Sequence, residues 1–275
     1  MEPFVLEQTT SLLRLAAWEE QFPGLVAGFT TRIGGVSTAP YASMNCGLHV
    51  GDDIQAVVRN RRNLSSLLHF PFEGWTCADQ VHGNHITFVE SAEKGRGRNS
   101  LEDALAASDG LVTAEKDILL ASFYADCVPL LVIDPVKRVI GIAHAGWKGT
   151  AAIISQKIVE SITERFGSHR QDIRVAIGPS IGSCCYEVDD RVVDQISVQL
   201  VGEKEDWLVS KGQGKYQIDL KLVNYYLFIQ AGIHPEHILQ SSWCTSCRND
   251  LFFSHRADGG KTGRMAAFLG WRDEV

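Results

Sequence analysis

His82, Cys127 and His144 are the residues of this chain whose types and setting best suit one chemistry, the holding of a single soft metal ion. Two imidazoles and a thiolate bind zinc and leave the fourth corner of its tetrahedron open, the arrangement of a catalytic rather than a structural site. The case for Cys127 with His144 comes from segment 118–150, where two apolar runs flank Asp134-Pro135-Val136-Lys137. That aspartate and proline suit the first two positions of a type I turn, so a hairpin is expected. A symmetric four-residue loop pairs Ile133 with Arg138 and, in the same register, Cys127 with His144. Facing residues of a sheet have Cβ atoms about 4.5–5.5 Å apart, a span one ion bridges. Pro129 has no N–H to give the ladder and is the place where a bulge would shift that register. His82, in Gln80-Val81-His82-Gly83, is the candidate third ligand, delivered just ahead of the apolar run 86–89. His85 is its rival, with Gly83 and Asn84 between them indicating a turn that points the two rings differently.

The elements that must position these residues are legible as apolar runs and periodicities. Runs 86–89, 118–124, 128–133, 139–144 and 174–177 read as strands. Segment 150–166 places Ile154, Ile158, Ile162 and Phe166 on one face of a helix that Gly167 ends. Further helices are expected over 55–68, 190–200 and 220–231, with Asp190 capping the second and Gly232 terminating the third. Strands and helices alternate in a mixed α and β chain with no fixed-period repeat, so a single domain over 1–275 is the simplest parse. Asp126 adjoins Cys127 and could shuttle protons, but strand alternation points it to the opposite face, so packing or holding a turn is an equal alternative.

Composition narrows the function classes. The chain has 26 Lys and Arg against 33 Asp and Glu, a net charge of -7 with no long basic run, which argues against nucleic acid and for small substrates. The densest basic stretch, Lys94 to Arg98, sits among glycines and reads as a solvated loop. The first twenty residues carry acids within their apolar pattern and lack a signal-peptide layout, and no 18-residue apolar stretch offers a membrane span, so a cytoplasmic location is expected. Seven cysteines in such a compartment are thiols or metal ligands rather than disulfides. Cys244-Thr245-Ser246-Cys247 has zinc-ribbon spacing, but its nearest partners are the vicinal Cys184 and Cys185, and the reading is buried free thiols. Cys46 and Cys77 carry no motif.

The order of several blocks resembles the YfiH-like family, also called the laccase-domain or multicopper polyphenol oxidase family. They run from Thr30-Thr31-Arg32-Ile33-Gly34-Gly35 through Ser43 to Asp53 and Asn60-Arg61 to Gln80-Val81-His82-Gly83 and Asp109-Gly110. Ala125-Asp126-Cys127, Ala143-His144-Ala145-Gly146-Trp147, Gly178-Pro179-Ser180-Ile181, Ser254 to Asp258 and Thr262-Gly263-Arg264 complete them. The resemblance implies zinc ligands at His82, Cys127 and His144, and an α+β fold, a mixed β-sheet sandwich covered by helices on the outer faces and similar to cysteine-hydrolase toxins. It also implies a purine nucleoside phosphorylase acting on adenosine, inosine and methylthioadenosine with phosphate, and an adenosine deaminase activity. Within the matching blocks Arg32, Arg61, Arg256 and Arg264 are the candidates for phosphate, which a planar guanidinium binds through paired hydrogen bonds. Asn45 and Gln80 are candidates for base or ribose edges.

The laccase label fits the residues poorly. Multicopper chemistry needs roughly ten histidines arranged partly as His-x-His, and this chain has nine with no such pair, although copper suits a His and thiolate site in the test tube. Other readings remain: a cysteine hydrolase of amidase type with Cys127 as nucleophile, an editing hydrolase of cell-wall precursors, and a noncatalytic binding module. The oligomeric state is not legible.

Overall fold

The structure, a computed structural model, describes residues 1–7, 11–202 and 206–272. One sheet contains β1 (Val5–Leu6), β2 (Leu12–Arg14), β3 (Leu25–Thr30), β4 (Trp75–Cys77), β7 (Leu119–Tyr124) and β15 (Met265–Trp271). A second contains β5 (Ile86–Phe88), β6 (Gly110–Thr113), β8 (Val128–Asp134), β9 (Val139–Ala145), β10 (Arg174–Ile177) and β14 (Ile238–Gln240). Their orders are β1-β2-β3-β15-β7-β4 and β14-β10-β8-β9-β6-β5. A small third sheet joins β11 (Glu187–Asp189), β12 (Leu208–Gly212) and β13 (Lys215–Ile218) in the order β11-β13-β12.

The central strands are apolar on both faces because both faces are covered. β3, β7, β8, β9 and β15 are buried at every residue, the pattern of sheets with no wet side. Between the two large sheets Phe29, Leu120 and Leu269 meet Leu131, Ile133 and Ile142. On the far side of the first sheet, Leu119 and Phe268 pack on Leu64 of α2 (Ile54–Leu67). On the far side of the second, Leu130 and Val132 pack with α4 (Ile154–Phe166) and α6 (Leu220–Gln230) through Ile158, Ile162, Val223 and Leu227. The layers therefore run helix, sheet, sheet, helix, the α+β sandwich with outer helices expected from the sequence. Each fully buried isoleucine on α4 contributes about 1.5–3 kcal/mol of transfer free energy, so its apolar stripe is what fixes it to the sheet.

Local boundaries differ from expectation in instructive places. The helix expected over 150–166 is two helices, α3 (Trp147–Ala151) and α4, separated at Ile153, whose backbone is left-handed with φ 54. A β-branched residue adopts that conformation only under tertiary constraint, and here Asn84 Nδ2 donates to the freed Ala152 carbonyl at 2.8 Å. The helix expected from 190 ends earlier, as α5 (Asp190–Ser197), and its cap is Asp189, whose carboxylate accepts the Val192 N–H. Asp190 instead accepts the Tyr216 hydroxyl. Gly232 follows α6 with φ 86, as a left-handed terminator should. The basic loop is less solvated than its charge suggests, because Gly95 and Gly97 are buried and the carbonyls of Gly97 and Arg98 are taken by Arg61. Among the described residues no helix is long and apolar enough to cross a membrane.

Candidate active site

The β8–β9 hairpin forms, but two residues out of the expected register. Asp134 pairs with Val139 and Ile133 with Ile140, so His144 faces Pro129 rather than Cys127. The turn chemistry explains the shift: Asp134 Oδ1 accepts the N–H groups of both Val136 and Lys137, and Arg138 takes a left-handed φ of 54, which lengthens the strands' pairing to the aspartate itself. A shift of two keeps the side-chain alternation, so Cys127, one residue before β8, still lies on the face of His144. No bulge occurs at Pro129, whose carbonyl accepts the Gly178 N–H. Its backbone polar groups point away from β9, so the missing N–H removes no bond of the hairpin.

His82 arrives from the turn between β4 and β5 with φ 62. One donor atom each from His82, Cys127 and His144 lie within 4.8 Å of one another, and the two imidazole rings meet edge to face with centroids 4.7 Å apart. His85 is exposed and does not line this cavity. The arrangement is held by a residue that sequence spacing does not reveal. Asp109, at the start of β6, has a fully buried carboxylate. Its Oδ1 takes the Nδ1 of His144 at 2.9 Å and the backbone N–H of His82 at 2.9 Å. Its Oδ2 accepts the N–H groups of Val81 at 3.2 Å and Gly83 at 2.6 Å. One carboxylate thus fixes the ring of one candidate ligand and the turn of another, leaving Nε2 of His144 for Cys127 or an ion. Burial raises the Asp109 carboxyl, but the bonds from His144 and from the backbone of Gly83 and His82 outweigh it and keep it below the ordinary carboxylate range. Cys127 follows the same logic: burial raises its thiol, while the charges and hydrogen bonds of His144 and His82 bring it below its ordinary value. His144 is held above the usual imidazole range, burial being outweighed by Cys127 and Asp109.

The donor set fits a soft divalent ion. Gly146 supplies an independent sign, since a Cβ there would stand 2.9 Å from Cys127 Sγ and 3.2 Å from His82 Cδ2. The backbone is stripped of a side chain just where the three donors converge.

These residues open into a cavity of about 470 Å3. Phe123, Trp147 and Tyr186 give it aromatic surface, and Lys148, Arg256 and Arg264 give it positive charge. Of the residues expected to touch substrate, Gln80 lines it, with its amide paired to both backbone groups of Phe123. Arg32, Asn45 and Arg61 do not line it. Arg32 donates to the carbonyls of Ala42 and Asn249 over the ring of Phe253. Asn45 is buried, with its Oδ1 accepting from Gly47 and Arg264. Arg61 is fully buried on α2, giving hydrogen bonds to the carbonyls of Cys46, Gly97 and Arg98 and lying over Phe123. Asp126 turns toward the cavity rather than away, because its φ of 85 places it outside the strand. Its oxygens are occupied by the hydroxyls of Thr245 and Ser254 and the N–H of Arg256. His49 is a further lining residue that carried no motif weight. Burial and the nearby charges of Arg264 and Arg61 lower its imidazole to about 4, so it stands neutral.

Residues 26–272 match the family described as multi-copper polyphenol oxidoreductase laccase. The chain belongs to this family. Among its laccase-domain relatives, the purine nucleoside phosphorylase YlmD of Geobacillus stearothermophilus is 48% identical over 253 residues, covering 92% of each chain. The protein of the same name from Bacillus subtilis is 42% identical over 275 residues, covering 98% of each. The solved structure of the Geobacillus stearothermophilus YlmD superposes with a TM-score of 0.96 at 46% identity, over 99% of this chain and 100% of that one. The YfiH structure from Bacillus licheniformis gives 0.95 at 43% identity, over 99% and 100%.

Proposed function

We propose that this chain is, over 1–275, one catalytic domain of a zinc-dependent purine nucleoside phosphorylase that takes adenosine, inosine and methylthioadenosine with phosphate, and that the same cavity deaminates adenosine. The observation that carries the reading is the cavity's composition: three cations and three aromatic rings beside one cluster of two imidazoles and a thiolate. Relatives that bear the phosphorylase name point the same way. His82, Cys127 and His144 would hold the ion, which when bound supplies Lewis acidity toward a substrate or water oxygen.

The chain's own residues supply the rest. Phosphorolysis joins a phosphate oxygen to C1′ of the ribose while the C1′–N9 bond breaks, so a dianion must be held against a sugar that becomes positive. Arg256, Arg264 and Lys148 meet the first need, and we assign phosphate to them rather than to Arg32 or Arg61, which do not line the cavity. Phe123, Trp147 and Tyr186 offer flat faces for the purine, and Gln80 keeps the wall beside it rigid. Deamination needs water at C6 and a neutral base, and His49 is the lining residue held unprotonated for it. Zinc-loaded protein given saturating phosphate should release free base from each nucleoside, with ribose 1-phosphate from adenosine and inosine and 5-methylthioribose 1-phosphate from methylthioadenosine, and none without phosphate. Absence of base release from all three nucleosides would remove the assignment.

A second reading has its own observation. Asp109, His144 and Cys127 also form the acid, base and thiol of a cysteine hydrolase, the class whose toxins the sequence is expected to resemble in fold. Chelator separates the two, because a thiol hydrolase keeps its activity in chelator and loses it to alkylation of Cys127.

A further inference from the structure

Away from the cavity's reacting centre, the fold gathers the four cysteines read from the sequence as buried free thiols, and none of them is fully buried: Cys184 and Cys247 are exposed and Cys185 and Cys244 half-buried. Cys184 and Cys185 follow β10, and Cys244 and Cys247 follow β14, its parallel neighbour in the sheet. Adjacent residues of a strand point apart, but Cys184 and Cys185 lie in a turn closed by the Cys185 and Tyr186 N–H groups on the Gly182 carbonyl, which brings both thiols to one side. The four sulfurs lie within 4.8 Å of one another, with Cys184 and Cys185 each 3.4 Å from Cys247. A disulfide needs about 2.05 Å, whereas four thiolates around zinc at about 2.3 Å stand about 3.8 Å apart. The separations are those of ligands.

Three further features belong to a thiolate site. Cys244 Sγ accepts backbone N–H groups from Gly182, at 3.2 Å, and from Cys247, the N–H to sulfur bonds that hold a thiolate at a metal knuckle. Gly182 lets the two loops approach closely, since a Cβ would press on Cys184 Sγ and Cys244 Cβ at 3.3 Å each. Buried Lys221 donates to the carbonyl of Trp243 at 2.9 Å, setting a cation beside the cysteine loop, where four thiolates on a divalent ion leave a net negative charge.

We propose that Cys184, Cys185, Cys244 and Cys247 bind a second, structural zinc ion that clamps two loops forming one wall of the cavity. Those loops meet at the bridge between Ser180 and Cys244 and at the Thr245 N–H on the Ser180 carbonyl. They carry Ile181 and Tyr186 into the cavity lining. The carbonyls of Cys185 and Glu187 accept the Arg256 guanidinium, and Thr245 ties the second loop to Asp126. Four soft sulfur donors with no open corner select zinc and give it no catalytic role.

The test is metal stoichiometry of full-length protein purified without added ions. Cys247→Ser should lose one equivalent of zinc relative to wild type, and Cys127→Ala should retain that equivalent, so the two centres are told apart whatever the first one holds. Cobalt(II) reconstitution of Cys127→Ala should give the charge-transfer absorption of an all-thiolate tetrahedral ion, absent after Cys247→Ser. Should Cys247→Ser fold poorly, Cys184→Ser, at an exposed position, should show the same loss. Unchanged zinc content and cobalt spectrum in both serine variants would overturn the proposal. So would a disulfide among these cysteines in native protein kept under reductant, or four thiols that react freely without releasing metal.

Discussion

Asp109→Asn is the substitution that most directly probes how the site is held. The carboxylate serves four donors, His144 Nδ1 and His82 N–H on one oxygen, Val81 and Gly83 N–H on the other. Asparagine keeps the shape but has one accepting oxygen and an NH2 that donates. If that oxygen stays with His144, the Val81 and Gly83 N–H groups face a donor and the turn that delivers His82 loses its anchor. If the amide flips, Nδ1 of His144 faces a donor and must give up its proton, which moves to Nε2 and blocks the lone pair that faces Cys127. The first case leaves two part-buried N–H donors without a partner and the second leaves one, that of His82, at about 1–3 kcal/mol each, and either way one candidate ligand is misdirected. Loss of a carboxylate behind a metal-binding histidine weakens affinity or activity about 10–100-fold. Zinc affinity measured by competition with a chromophoric chelator should fall by that factor, and the melting temperature should drop by several degrees, at about 2–4 °C per kcal/mol for a chain of this order of size. Wild-type zinc affinity together with wild-type stability in Asp109→Asn would refute the reasoning.

Gly146→Ala places a methyl 2.9 Å from Cys127 Sγ and should cut zinc affinity about tenfold or more with an unchanged circular dichroism spectrum; wild-type zinc affinity in a chelator competition would contradict it. Arg61→Lys replaces a buried fork that serves three carbonyls and should cost about 2–4 kcal/mol in denaturant unfolding. The phosphate KM of the surviving enzyme should not change, and a raised KM at unaltered stability would return Arg61 to the phosphate site. His49 has an imidazole lowered to about 4 in the folded chain, against about 6.5 unfolded, so between those values the unfolded state binds the extra proton. Stability should therefore be whole above about pH 6.5 and fall as pH drops toward about 4, by less than the full shift would give because the His49 side chain is exposed to screening solvent. His49→Gln should flatten that part of the profile in urea titrations, and an identical acid profile would remove His49 as its source.

What the sequence determined by itself were the features set by near neighbours. The strands at 128–133, 139–144 and 174–177 appear within one residue of their expected ends, because a buried strand must be a short continuous apolar run. The helix of 220–231 and its terminator Gly232 follow from local periodicity and a left-handed cap. Cys127 and His144 share a face even though the register moved by two, since only the parity of the pairing decides the face. The tertiary structure decided what distant residues do to one another. Asp109 lies 27 residues from His82 and 35 from His144 in sequence, and no spacing rule joins them. Arg61 reads as a free guanidinium on a helix, and only the packing of α2 against β4 and β7 turns it inward. Cys184 and Cys185 defy strand alternation because a turn sets both on one side, and they meet Cys244 and Cys247 because β10 and β14 pair in parallel. Local patterns record how a segment is buried, whereas convergence at a site depends on which strands become neighbours, and that is fixed by the whole core.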